Sequence, residues 1–443
     1  MSQTEQIAKL KQVVEDLLQE AHRQGADAAE AGVSTQTGLS ATVRLGETET
    51  IEHTSDNGLG ITVYFGHRKG SANTTDLRPE AIRESVAAAC RIARHTSEDP
   101  AAGLADANRM AHDVADLDLY HPWQMDADEA STIARDCEDA ARGLDPRISN
   151  SEGATLYTQE SSFIYGNSHG FVGGYPSTRH SLSCAVVAQE GEEMQRDYWY
   201  DSGRLPAELA DPAAIGRKAA ERTLARLNGR QLGTRECPVL FRADVAPSLM
   251  RSLFGAIRGH AVYRKSTFLL DQVGEQVFPD WVQISEDPLR PRGQASAPFD
   301  NEGVATGYRD LVKNGVLQGY LLDSYAARKL GLESTASAGG VRNGGIASSG
   351  QTFDELLREM DQGVVVTELM GQGTNPVTGD YSRGAAGFWV ENGEIQYPID
   401  EITVAGNLKD MFRKLVAVGT DNDIPGSLDT GSWLIESMTV GGD

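Results

Sequence analysis

The chain has 443 residues, of which 40 are Lys or Arg and 64 are Asp or Glu, giving a formal net charge of −24 at pH 7. With 40% hydrophobic and 23% charged residues, it is neither a disordered chain, nor a collagen, nor a coiled-coil rod. A nucleic-acid partner is disfavoured, because a phosphate backbone is bound by clustered Lys and Arg, and no basic run here exceeds two residues. The excess of acid is explained by solubility, by an acidic cytoplasm or by a preference for cationic substrates, and composition leaves all three open.

The chain is expected to be cytoplasmic and not associated with a membrane. Its first residues are polar and acidic, without the basic and apolar regions of a signal peptide, and no apolar run approaches the roughly 20 residues of a membrane span. The cysteines lie far apart, form no CxxC pair and indicate neither a zinc ribbon nor a disulfide framework. They are Cys90, Cys137, Cys184 and Cys237.

The first half of the chain mixes helices with hairpins. Helical spacing of apolar residues and N-cap or C-cap signals predict helices at 7–21, 78–95, 126–142 and 211–227. Alternating patterns predict three strands at 40–45, 48–53 and 60–65, with turns at Gly46 and at Asn57-Gly58. Two further hairpins are predicted, one from 154–160 with 162–166 and one from 180–189 with 194–200. Because strands and helices do not alternate regularly, we expect an α+β domain that ends near residue 230.

The second half is dominated by strand signals after one predicted helix at 247–263. Asn314-Gly315 and Asn392-Gly393 each separate two strand-like segments, and Asn-Gly favours the two-residue hairpin turn. Two glycine-rich segments, 339–345 and 379–384, are typical either of tight β corners or of a groove in which a peptide backbone lies against the protein.

Local chemistry alone reveals no catalytic site. No two of the nine histidines lie three to five residues apart, and HExxH, GxSxG and a phosphate-binding GKS or GKT are all absent. Cys90 and Cys184 fall on apolar faces and are expected to be buried and structural. A metal site assembled from distant residues is left open at this point.

Several segments resemble the TldD/PmbA family of bacterial and archaeal metallopeptidase subunits, and they extend from about residue 25 to the end of the chain. The most specific are YLLDSYAARKLG at 320–331 and GTNPVTGDYS at 373–382. The others are GADAAE at 25–30, VRLGE at 43–47, NGLGITV at 57–63, FDNEG at 299–303, GVL at 315–317 and MTVGG at 438–442. The resemblance implies an α+β N-terminal domain at 1–230, with a mixed sheet and packed helices, and a β-rich, barrel-like C-terminal domain at 231–443.

In the TldD-like branch of this family, a helix carries HExxxH, whose histidines bind zinc while its glutamate serves the catalytic water. The segment similar to that helix is LFGAIRGH at 253–260, which places Gly255 at the first histidine, Ala256 at the glutamate and His260 at the second histidine. The cysteine ligand near the C-terminus is also missing, since no cysteine follows Cys237. Catalytic zinc needs about three protein ligands and a base, so these positions are expected to be a degenerate metal site.

The chain is therefore identified as a member of the PmbA-like (TldE) branch, a subunit expected to hold no cofactor itself. The resemblance implies a TldD-like partner that carries the zinc, and a complex that degrades or processes small or unfolded peptides. The candidate contacts to the peptide chamber or the partner are Arg258, Tyr263, Arg264, Lys265 and Asn343. The basic ones among them are explained equally by a solvated helix end. Two other functions stay open: a stand-alone, homodimeric peptide-binding or assembly protein, and an independent hydrolase with a site built from distant residues.

Overall fold

The computed structural model describes residues 3–422 and 426–442. It contains 25% helix and 40% strand, with a half-barrel sheet followed by a closed β-barrel. The predicted α+β class with a barrel-like C-terminal region is confirmed. None of the helices in the two described ranges combines the length and the apolar composition needed to cross a bilayer.

The half-barrel is one antiparallel sheet of six long strands in the order β3-β2-β1-β4-β5-β6. Its helices cover two separate ends of the strands: α1 and α2 pack on one end of β1, and α3 and α4 pack on the other. The elements are α1 (Gln3–Arg23), β1 (Ala28–Arg44), β2 (Glu47–Phe65), β3 (Arg68–Thr74), α2 (Pro79–His95), α3 (Ala127–Arg142), β4 (Ile148–Asn167), β5 (Val172–Glu190), β6 (Glu193–Gly203) and α4 (Pro212–Leu224). Short 3-10 turns at Ala107–Arg109 and Pro206–Glu208 complete this part.

Two predicted breaks in this sheet are wrong. Asn57-Gly58 makes no turn but lies within β2, where Gly58 pairs with Ser34 of β1. Likewise, 154–160 and 162–166 belong to the single strand β4, which pairs with β1 along most of its length. The predicted β5–β6 hairpin and the turn at Gly46 are present. The fourth helix ends at Leu224, short of the predicted residue 227.

The C-terminal region is built on a barrel of five strands in the order β14-β13-β12-β7-β17, closed by pairing of β14 with β17 and extended by β15. A second small sheet has the order β10-β9-β8-β11-β16. The elements are β7 (Arg235–Phe241), α5 (Pro247–Ala256), α6 (Gly259–Tyr263), β8 (Ile284–Glu286), β9 (Arg309–Lys313), β10 (Val316–Leu317), α7 (Ser324–Leu330), β11 (Gly344–Ile346), α8 (Phe353–Met360), β12 (Gly363–Met370), β13 (Asp380–Glu391), β14 (Glu394–Asn407), α9 (Leu408–Arg413), β15 (Leu415–Val418), β16 (Leu428–Asp429) and β17 (Trp433–Gly441).

Both Asn-Gly hairpins form as predicted. Asn314 and Gly315 have φ angles of 50° and 73°, and Asn392 and Gly393 have 55° and 71°. Two consecutive positive φ values match the twist of the flanking strands, which explains why Asn-Gly occupies both turns. The boundary predicted after residue 230 falls in the connection between α4 and β7.

The two regions meet through an aromatic contact and a helix. The Phe299 ring lies 5.3 Å from the Phe171 ring and 5.7 Å from the Tyr175 ring, which joins the C-terminal region to the half-barrel. On α7, the Arg328 guanidinium donates to the carbonyl oxygens of Ala101 and Gly103 at 3.2 and 3.1 Å. These contacts fix α7, and the neighbouring α6, against the half-barrel.

Candidate functional site

The segment predicted as one helix at 247–263 divides into α5 and α6. Gly259 N donates to Leu321 O at 2.8 Å and Leu321 N donates to Ile257 O at 2.9 Å, so Arg258 takes an extended backbone with ψ of 134°. Glycine is required at this contact, because a Cβ on Gly259 would lie 2.4 Å from the Ala326 Cβ. The prediction of a single helix is therefore wrong.

The positions aligned with the metal-binding motif are separated by this break. Gly255 lies on the exposed side of α5, Ala256 is buried beside it, and His260 is exposed on α6. Gly255 and Ala256 offer no side-chain donor, so His260 is the only one of the three with a metal-binding atom. Within residues 3–422 and 426–442, no group of three or more His, Cys, Asp or Glu side chains is placed to hold a metal ion.

The surroundings of His260 disfavour a cation. Partial burial, followed by the positive charges of Arg258 and Arg264, lowers the pKa of His260, while the Asp323 carboxylate opposes this. That carboxylate is itself engaged, because Asp323 Oδ1 accepts a hydrogen bond from Ala326 N at 2.7 Å as the N-cap of α7. A lone imidazole that is subject to the positive charges of two guanidinium groups does not fit catalytic zinc.

Of the other predicted residues in and beside α6, Tyr263 lies against α7. The Tyr263 ring meets the Tyr325 ring edge-on at 5.8 Å, and the Arg264 guanidinium lies 5.7 Å from the centre of the Tyr263 ring. Tyr325 Oη in turn donates to Asp99 of the half-barrel at 2.7 Å. Hydrogen bonds from Lys329 and Tyr325 lower the pKa of Asp99 to about 2, which keeps this contact ionised. Arg264 and Lys265 are exposed at the end of α6.

Asn343 lies apart from this surface and is buried. Its amide nitrogen donates to Asp287 O at 2.8 Å and to Ser296 Oγ at 2.7 Å, and its amide oxygen accepts from Ala295 N at 2.9 Å. With these three bonds the side chain joins neighbouring loops and presents no spare N–H group to a peptide or a partner.

The structure reveals a half-buried acidic group that was not selected as a site from the sequence. Glu302 lies where FDNEG at 299–303 meets the half-barrel, and its carboxylate accepts a hydrogen bond from Ser324 N at 2.9 Å. Burial, together with the nearby charges of Asp300 and Asp323, raises the pKa of Glu302 to about 7. A carboxyl group that titrates near neutrality is typical of functional sites, and also of structural networks. The sequence did contain a signal for this site, because Glu302 belongs to the FDNEG motif at 299–303 that was identified from the family resemblance.

Comparisons with known proteins agree on one family. The family models that match describe the PmbA/TldA metallopeptidase domain 1 at residues 29–93, the central domain at 120–227 and the C-terminal domain at 234–442. "Metalloprotease PmbA" of Escherichia coli O157:H7 is 53% identical over 416 residues, which are 94% of this chain and 92% of that protein. The "Metalloprotease PmbA homolog" of Haemophilus influenzae is 46% identical over 443 residues, with 98% and 96% covered.

Solved structures share the whole fold. A protein of Bacteroides thetaiotaomicron, described as a putative modulator of DNA gyrase, superimposes with a TM-score of 0.92 at 28% identity and covers 98% of this chain and 99% of its own. TldE from Thermococcus kodakarensis has a TM-score of 0.83 at 21% identity, with 97% and 100% covered, which shows a common fold. The chain thus belongs to the PmbA/TldD metallopeptidase family as a PmbA-like member, a peptidase-related protein.

Proposed function

We propose that this chain is the non-catalytic, metal-free subunit of a zinc peptidase complex, paired with a TldD-like catalytic chain that supplies the zinc. The complex degrades or processes small or unfolded peptides, and this chain forms part of the peptide chamber. The observation that carries the proposal is the degenerate site: Gly255 and Ala256 provide no donor, and the positive charges of Arg258 and Arg264 act on His260. Similarity to proteins named metalloprotease PmbA supports the peptidase part.

The exposed basic residues of the α6 surface, which we define as Arg258, Arg264 and Lys265, support a contact with a partner or a peptide. None of the three forms an ion pair with a described residue, although the chain as a whole carries 64 acidic side chains. Unpaired cations in an acidic chain suit an acidic partner surface and steer its association. All four cysteines are free and buried, which favours a reducing compartment, and we place the complex in the cytoplasm.

Reconstitution with the TldD-like chain of the same organism tests the proposal. We expect each chain alone to leave an unstructured peptide intact and the mixture to cleave it. Cleavage should be lost when the glutamate of the partner's HExxxH motif is replaced by glutamine. Cleavage by this chain alone, abolished by a chelator, would instead identify an independent hydrolase, and a homodimer that ignores the partner would identify a stand-alone binding protein.

The α6 surface is tested in the same assay with Arg264→Ala/Lys265→Ala. The double variant should weaken pairing or peptide turnover at least fivefold while its thermal unfolding stays unchanged. Lys9→Ala/Lys11→Ala, which removes the same charge from α1, is the matched control and should behave as the unsubstituted chain. Equal pairing and equal turnover for all three proteins would assign Arg264 and Lys265 to a solvated helix end.

A further inference from the structure

A cleft of about 330 Å³ lies between the half-barrel and the barrel, beside the start of α5. One wall is formed by β6 and α4, another by the segment leading into α5, and a third by β12 and β13. Five arginines line it, and we call it the arginine cleft: Arg196, Arg222, Arg226, Arg251 and Arg383. This concentration of cations is unusual in a chain with a net charge of −24.

Three of these arginines are neutralised by acids. Arg222 contacts Asp197 at 3.3 Å and Asp244 at 2.8 Å, and Arg226 contacts Glu368 at 2.6 Å. Arg196 contacts Glu152 at 2.5 Å. Neither Arg251 nor Arg383 forms an ion pair with a described residue. The cleft therefore keeps two uncompensated positive charges.

The cleft also concentrates buried donors that have no acceptor. The Nε atoms of Arg222, Arg226 and Arg383 and the Oγ atom of Ser248 are all buried without a hydrogen-bond partner among the described residues. The Arg222 side chain is only 9% exposed, so bulk water does not replace the missing acceptor. Buried polar groups are normally paired, and an anion with several oxygen atoms would satisfy donors of this kind.

The arginine cleft adjoins the degenerate site along one face of α5. Ser248, Arg251 and Gly255 are spaced three and four residues apart, which places them on the same side of the helix. Seven residues of helix rise by about 10 Å, a distance that roughly three residues of an extended peptide span. The site of a Cβ on Gly255 has no atom within 4 Å, so this face is open at its far end.

We propose that the arginine cleft binds the C-terminal carboxylate of a peptide whose last residues lie along α5. Two arginines without an ion pair match one planar carboxylate, while the lining acids Asp197, Asp244 and Glu368 oppose a more highly charged anion such as phosphate. The inference rests on the proposed function in taking a peptide as the ligand. It adds that the subunit without zinc recognises the C-terminal carboxylate of the substrate peptide.

Titration calorimetry on the full-length chain tests this with N-acetyl-trialanine as the free acid, the same peptide as its C-terminal amide, and inorganic phosphate. We expect the acid to bind at least tenfold more tightly than the amide or phosphate. Arg383→Gln should weaken binding of the acid at least fivefold, and so should Arg251→Gln, which alters only an exposed side chain and keeps the test valid if Arg383→Gln does not fold. Arg83→Gln on α2 is the matched control and should leave binding unchanged.

Equal binding of the acid and the amide, tighter binding of phosphate, or no binding of any probe would each overturn the inference. These outcomes are distinct from a failure of the proposed function. Cleavage by the reconstituted pair together with no binding of the acid would remove only the arginine cleft from the account. Selective binding of the acid by a chain that forms no pair would retain the cleft and remove the complex.

Discussion

Replacing Glu302 by glutamine should stabilise the protein at alkaline pH and leave it almost unchanged at acidic pH. The Glu302 carboxyl lies between FDNEG at 299–303 and α7, and it accepts a hydrogen bond from the Ser324 N–H at 2.9 Å. Glutamine has nearly the same shape and retains an oxygen that accepts this bond, but it cannot ionise. The substitution therefore isolates the cost of the buried charge.

The magnitude follows from the pKa of Glu302, which burial raises from 4.5 to about 7. Between these values the folded protein holds a proton that the unfolded chain has released, so the stabilising effect of this proton is present at low pH and lost as pH rises through about 7. A pKa difference of about 2.5, at roughly 1.4 kcal/mol for each tenfold change, corresponds to at most about 3.5 kcal/mol. Glu302→Gln should gain up to this amount at pH 8 and almost nothing at pH 4.

Urea unfolding of both proteins at several pH values between 4 and 8 measures the difference, and other titrating groups cancel in the comparison. Glu84→Gln, on the exposed side of α2, is the matched control and should show no such trend. If Glu302→Gln were destabilised at pH 8, or shifted equally at every pH, the assignment of a half-buried, neutral-pH carboxyl to Glu302 would be refuted.

Three further predictions concern the packing at Gly259, the ion pair between Arg222 and Asp244, and the accessibility of the Cys237 thiol. Gly259→Ala should lower the free energy of unfolding in urea by about 1–3 kcal/mol, because a Cβ at this position would collide with Ala326. Gly255→Ala, where a Cβ meets no atom, should leave the free energy of unfolding unchanged or raise it slightly. Equal effects of the two substitutions would contradict the contact at Gly259. Arg222→Met should lower the free energy of unfolding by roughly 3–5 kcal/mol at pH 7, because Asp244 stays buried and loses one of the cations beside it. Although burial opposes it, Arg242 and Arg222 hold the pKa of Asp244 below its ordinary value of 3.8. The loss should therefore persist down to about pH 4 and shrink only as the pH falls further, through the lowered pKa, and a loss that stays the same below pH 4 would contradict the pairing. Burial raises the pKa of Cys237 to about 11, so a thiol reagent at pH 8 should label this residue only after unfolding, and rapid labelling of the native chain would show an accessible thiol.

Local signals in the sequence were sufficient for most helices and tight hairpins. Asp126 caps α3 with a capping box, and Asn314-Gly315 and Asn392-Gly393 form the turns that their conformational preferences favour. Asn57-Gly58 carries the same signal but is held in extended β2, where it pairs with Thr35 and Ser34 of β1, more than twenty residues earlier in the chain. The break at Arg258 likewise depends on Leu321, more than sixty residues away. Long-range pairing therefore overrides a local preference in both failures.

The candidate site likewise contains some features that the sequence predicts and others that depend on long-range packing. Gly255, Ala256 and His260 were located from a family motif, and their chemistry follows directly from residue type. Glu302 owes its shifted pKa to burial by segments that the sequence does not show to be neighbours. The arginine cleft joins residues from 196 to 383, whose approach depends on how the half-barrel meets the barrel. The FDNEG motif marks the position of Glu302 but not its burial, and the arginine cleft has no local pattern from which it could be predicted.

The most direct test of the account is the zinc content of this chain when it is purified alone, without a metal-affinity tag, and measured by elemental mass spectrometry. With Gly255 and Ala256 lacking donors and His260 beside Arg258 and Arg264, we predict a zinc content near zero per chain. Zinc near one atom per chain would contradict the degenerate site and, with it, the assignment of catalysis to a partner subunit.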